Sequence, residues 1–97
     1  MPYIRPLAIC VFYKGGCILA ERCIDNHKNE VFYRPLGGGV EFGEYGVDAL
    51  QRELDEEIGA SAADVEFVGF IENIYTYEGR PGHELAIGRL ARDMGFT

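Results

Sequence analysis

Ninety-seven residues fit one domain, spanning 1–97, with one modest core. Hydrophobic residues make up 47% and charged residues 26%, which excludes a disordered, collagen-like or low-complexity chain. The net charge of −7 excludes a broad surface that reads a nucleic-acid backbone, which needs the opposite sign.

The first element predicted is a hairpin. Leu7-Ala8-Ile9-Cys10-Val11-Phe12-Tyr13 is rich in strand formers, Lys14-Gly15-Gly16 is a turn signal, and Cys17-Ile18-Leu19-Ala20 resumes the apolar run. The run from Leu7 to Tyr13 is far too short for a membrane span. It does not read as a signal peptide either, because Lys14-Gly15-Gly16 stands where a small-residue cleavage site should lie. Asp25 to Glu30 is polar and reads as a loop, and Val31-Phe32-Tyr33 as a short strand ended by Pro35. Gly37-Gly38-Gly39 can take dihedrals closed to other residues and can curl tightly around a ligand. Val47, Leu50, Leu54 and Ile58 recur at helical steps and predict a helix over 45–58, stopped by Gly59. After a loop, Val65 to Tyr77 predicts a long strand and Glu78 to Gly82 a turn. Leu85 to Ala91 is ambiguous, because Ile87, Leu90, Ala91 and Met94 also fit a helix. Cys10, Cys17 and Cys23 form no C-x-x-C pair and read as small buried hydrophobes in a reducing cytoplasm.

The charge is not evenly spread. Between Glu41 and Glu57 stand seven acids (Glu41, Glu44, Asp48, Glu53, Asp55, Glu56, Glu57) and one base, Arg52. On a helical wheel Glu53, Glu56 and Glu57 share one arc. Val47, Leu50, Leu54 and Ile58 share the neighbouring, buried arc, and Asp48, Arg52 and Asp55 point to solvent. Like charges at these spacings destabilise a helix, and a hard divalent cation reverses that penalty. A solvated acidic face is the bland alternative.

Gly38, five residues, Glu44, seven residues, then Arg52-Glu53-Leu54-Asp55-Glu56-Glu57-Ile58-Gly59-Ala60 resembles the Nudix box, G-x5-E-x7-R-E-U-x-E-E-x-G-U with U a bulky aliphatic residue. Only Ala60 is smaller than the pattern prefers. Tyr33-Arg34-Pro35-Leu36 and Ile71 to Tyr77 also look like the family, and the resemblance covers about residues 4 to 84. It implies an α/β fold of Nudix type, a mixed sheet packed against the box helix. It also implies hydrolysis of a nucleoside diphosphate linked to another moiety, by metal-activated water. Carried over by position, Glu53, Glu56 and Glu57 would ligate Mg²⁺ or Mn²⁺ with the backbone carbonyl of Gly38 or Gly37. Arg52 would orient the carboxylates, Glu44 would brace the loop against the helix, and Glu41 would hydrogen-bond a metal-bound water.

Other residues carry weaker signals. Arg34 fits a substrate phosphate or an ordinary surface arginine equally. His83 is a substrate contact or a surface residue, Tyr75 and Tyr77 read as packing before base stacking, and Glu72 and Glu78 are candidate general bases without motif support. The family's domains usually continue further, so the segment from Leu85 to Thr97 is expected to be a reduced tail with little core to join. An open apolar edge then predicts a symmetric homodimer. The alternative reading is a non-catalytic module that binds metal or nucleotide without turnover. A small nucleotide-like substrate is the expected partner, with no nucleic-acid polymer and no membrane.

Overall fold

The computed structural model describes residues 3–96. β1 (Arg5–Lys14) turns through Gly15 and Gly16 into β2 (Cys17–Ile18). Both glycines have positive φ, as a two-residue hairpin turn requires. β3 (Ala20–Asp25) and β4 (Glu30–Gly39) form the next hairpin. Then come α1 (Gly46–Ile58), β5 (Ala60–Tyr77) and β6 (Arg80–Phe96). The sheet runs β3-β4-β1-β6-β5, with β2 paired to β1. β1 and β6 are parallel and the other pairs antiparallel, so the expected mixed α/β architecture is present.

Three expectations are corrected. Residues 80–96, in part ambiguous between strand and helix in the sequence, are not a tail with little core to join. They form a strand held between β1 and β5, and Ala91 and Met94 enter the core. Its apolar residues Ile87, Leu90, Ala91 and Met94 stand three and four positions apart, which is why the segment also fits a helix. Thr97, at the end of that segment, lies outside the described residues. The strand expected to stop at Pro35 runs on to Gly39. Pro35 stands where β4 changes partner, opposite Ala20 of β3, and Leu36 to Gly39 then pair with Cys10 to Leu7 of β1. The glycine run is therefore part of the sheet and not a free curl. The loop expected after Gly59 is absent, because β5 starts at Ala60.

The helix ends at Gly59, whose φ of 62° and ψ of 36° put it in the left-handed region, with its N–H on Asp55 and Leu54 carbonyls. α1 packs on the sheet face that carries Ala8, Cys10 and Leu36, through Ala49, Leu50 and Leu54. Val47, expected inside, is 39% exposed. The buried arc is turned toward Ala49 and Glu53, because the side-chain-free glycines of β4 let that side of the helix settle onto the sheet. Gln51 ties α1 to β5, donating to the Ala62 carbonyl at 2.7 Å and accepting from the Ala62 N–H at 3.0 Å. Arg89 of β6 comes up beneath Gly46, and its Nη1 is buried with no hydrogen-bond partner among the described residues.

At the other end, the tips of two hairpins lock together. Asp25 is 3% exposed and accepts from the N–H groups of His27 and Lys28, and from that of Glu78 in the β5–β6 turn. Burial alone would raise the Asp25 pKa, but these donors and the Lys28 charge outweigh it and hold the carboxyl below its ordinary value. Glu78 returns the contact by accepting from the Asn26 N–H, and the Tyr77 hydroxyl donates to the Ile24 carbonyl.

Candidate active site

The glycine run of β4 and the middle of α1 meet face to face. A side chain at Gly38 would push the Glu53 carboxylate out of its place. Glu53 is 19% exposed and is held by Arg52, whose Nη1 donates at 2.9 Å. Arg52, expected in solvent, instead bends its long stem back across the helix start. Its guanidinium donates to both oxygens of Glu44 at 2.9 Å and to the Gly39 carbonyl at 3.0 Å, and lies 3.5 Å from Glu56 and 3.9 Å from Glu41. Glu44 also accepts from the Glu41 N–H at 3.1 Å. One carboxylate thus joins the loop backbone to the helix. The Arg52 hydrogen bonds, helped by the Glu41 N–H, hold the Glu44 carboxyl down at about 2. The same partners raise Arg52 above its ordinary value.

Glu57 lies one turn further on. Burial raises its pKa first, then the charges of Glu21 and Glu53, against the opposing pull of Arg34 and the Gly37 N–H. Glu57 opens onto a shallow cleft of about 450 Å³ whose walls include Glu21, Leu36 and Phe96. Glu53, Glu57 and the backbone of Gly37 and Gly38 are therefore brought together. Glu56 is not, since it stays half-exposed beside Arg52. Among the described residues no group of three His, Cys, Asp or Glu side chains converges tightly enough to hold a metal ion.

Glu21 carries no signal in the sequence. It stands directly opposite Arg34 across β3 and β4, with its carboxylate 3.4 Å from the guanidinium. Only the register of that hairpin reveals it, and no local motif sets that register. Arg34 is thus the ion-pair partner of Glu21, and its charge also acts on Glu57. The candidate bases lie elsewhere: Glu78 is engaged in the hairpin-tip contact, and Glu72 is on the outer strand opposite Leu85. Tyr77 packs edge-on against Phe32, and Tyr75 donates its hydroxyl to Glu84 at 2.9 Å.

Residues 3–93 match the family model of the NUDIX domain. No curated protein matches. Among solved structures the chain is similar to a MutT NUDIX hydrolase from Burkholderia pseudomallei, with TM-score 0.77 and 22% identity over 96% of this chain and 70% of that one. A mutator MutT protein from Bacillus halodurans gives TM-score 0.71 and 18% identity, over 96% of this chain and 59% of that one. An ADP compounds hydrolase gives TM-score 0.70 and 20% identity, over 97% of this chain and 49% of that one. This chain thus spans between half and seven-tenths of their lengths. No described helix is long and apolar enough to cross a membrane.

Proposed function

The chain belongs to the NUDIX domain family, and from that premise we propose that it is a pyrophosphohydrolase that cleaves nucleoside diphosphates linked to a second moiety. The observation that carries the reading is the convergence of Glu53, Glu57 and the bare backbone of Gly37 and Gly38, with Arg52 fixing the Glu53 carboxylate from the side.

The donor set is chemically suited to a hard divalent cation. It consists of oxygen atoms only, and burial and the charges of Glu21 and Glu53 act on Glu57 against the pull of Arg34 and the Gly37 N–H, a balance that such a cation relieves. Glu53, Glu57 and the Gly38 carbonyl would hold Mg²⁺ or Mn²⁺, and Glu56, half-exposed beside Arg52, joins them only as the resemblance carries it over by position. When bound, the ion supplies a Lewis acid, a water of lowered pKa and a template for phosphate oxygens. The protein's own work is positional. Arg52 sets the Glu53 and Glu56 carboxylates, Glu44 locks Arg52 to the loop, and the glycine run keeps side chains out of the space beside Glu53. In the reaction one P–O bond of the diphosphate bridge breaks, and the water oxygen joins the attacked phosphorus.

A panel of nucleoside diphosphate derivatives incubated with Mg²⁺ tests the reading. Nucleoside monophosphate is the expected product, lost in Glu53→Gln and Glu57→Gln and kept in the outer-face variant Asp55→Asn. Nucleotide binding without any product would instead fit the non-catalytic module. The same reading includes a reducing, cytoplasmic setting for three free cysteines and a symmetric homodimer. The dimer is supported by the outer edge of β5, where Phe67, Val68, Phe70, Ile71 and Ile74 are exposed. A monomeric mass by light scattering at high micromolar concentration would rule it out.

A further inference from the structure

The Glu53–Glu57 site leaves a second cleft unexplained. β5 and β6 run on past the start of β1, whose first pair in the sheet is Arg5 with Glu84. The overhang and the residues before β1 enclose an open cleft of about 520 Å³, lined by Ile4, Arg5, Ile74, Tyr75, Pro81 and His83 among others. Its apolar and aromatic walls and two cationic or hydrogen-bonding side chains are the composition of a pocket for a planar, polar-edged ring.

The walls are held from behind. Glu84, with its side chain only 13% exposed, accepts from the Tyr75 hydroxyl at 2.9 Å and lies 3.5 Å from Arg5 Nη1. One carboxylate thus orients both the aromatic wall and the guanidinium. The Tyr75 ring lies across Gly82, where a side chain would collide with it. The cleft also connects with the box. Arg5 Nη2 lies 3.6 Å from where a Cβ on Gly39 would sit, one residue from Gly38. The charge of Arg34 acts on both Tyr75 and Glu57.

Resting on the hydrolase reading, the geometry points to this cleft as the place where the base of the nucleotide is read, with Arg5 selecting a 6-oxopurine over a 6-aminopurine. A guanidinium only donates hydrogen bonds. A 6-oxopurine presents two acceptors side by side, N7 and O6, which match the guanidinium fork; a 6-aminopurine puts a donor where the second acceptor should be. Tyr75 supplies the stacking surface for either ring, so it adds affinity without choosing. Glu84 is a positioning residue that keeps Arg5 in place.

Calorimetric titration with inosine 5′-diphosphate and adenosine 5′-diphosphate, in Mg²⁺, tests the assignment without relying on turnover. The two ligands differ only at the purine 6-position and in the N1 proton that accompanies the oxo group; the preference lost in Arg5→Lys is the part that the fork reads. The inosine compound is expected to bind roughly tenfold tighter or more. Arg5→Lys keeps the charge, loses the fork and is expected to erase that preference. Tyr75→Leu should weaken both ligands together, and Glu84→Gln should shrink the preference. Circular dichroism confirms that each variant is folded. Equal affinity of the wild-type protein for the two ligands, no binding of either, or a preference surviving Arg5→Lys would each overturn the assignment. A clear preference with no hydrolysis of any diphosphate derivative would leave the assignment standing and sink only the hydrolase reading.

Discussion

Two arginines flank α1, and the protein treats them in opposite ways. Arg52 reaches four carboxylates and a backbone carbonyl, so its charge is compensated several times over. Arg89 ends beneath Gly46, at the positive end of the same helix, with Nη1 buried and no partner among the described residues. The contrast separates electrostatics built for the site from electrostatics the fold merely tolerates. The Arg52 network joins loop, strand end and helix around the candidate site, and removing any member leaves charges stranded. Arg89 costs stability where it sits, and nothing in the fold requires its charge.

The largest expected effect is therefore at Arg52. Arg52→Leu should lower activity roughly tenfold to a hundredfold, as loss of an orienting partner typically does, and should lower the melting temperature as Glu44 and Glu53 lose their common cation. Unchanged activity would show that the network is ornamental. Next comes Gly38→Ala, whose new methyl group meets the Glu53 carboxylate. The carboxylate can swing aside at little cost in stability, so activity should fall while the melting temperature changes little; unchanged activity in rate assays would refute the close approach. Arg89→Met should move the other way. Replacing a buried, unsatisfied polar group by an apolar one of similar length should return about 1–3 kcal/mol, read as a rise of several degrees in melting temperature. A fall would mean that Arg89 has a structural role that its contrast with Arg52 denies it.

The smallest effect is in the pH dependence of stability, measured in a chelator to keep metal out. The Glu44 carboxyl is held at about 2 in the folded protein against 4.5 ordinarily, so its contribution is full above pH 4.5 and fades as pH falls toward 2. Glu57 has the opposite sign: its pKa is raised, so stability grows slightly as pH drops through its folded value. Together they predict a shallow maximum in mildly acidic solution. Glu44→Gln should flatten the acid limb, and an unchanged limb in that variant would separate Glu44 from acid sensitivity.

How far the sequence reveals each feature depends on the reach of the interactions along the chain. The helix, its Gly59 stop and the first hairpin depend on residues within a few positions, and they appear where the sequence places them. Glu53, Glu57 and Gly38 are legible because a spaced motif carries them, and the chain brings them together. The course of β6 is not legible. Its pairing with β1 spans some eighty residues, and its apolar residues also fall at helical spacing. For the same reason Glu21 and the Asp25–Glu78 contact are invisible: each depends on a register or a meeting of hairpin tips set by tertiary packing. The arc of α1 departs from expectation at Val47 because wheel geometry ranks side chains by hydrophobicity and does not know that a glycine strand underneath will draw the Glu53 side inward.

Attack of water on phosphorus is tested by hydrolysis in ¹⁸O-labelled water with Mg²⁺ and ³¹P NMR of the products. One ¹⁸O is expected in a single phosphate of one product, seen as an isotope-shifted resonance, with no such signal from Glu57→Gln. Persistent substrate in every derivative tried, or cleavage with no label on phosphorus, would refute a hydrolase built on Glu53 and Glu57.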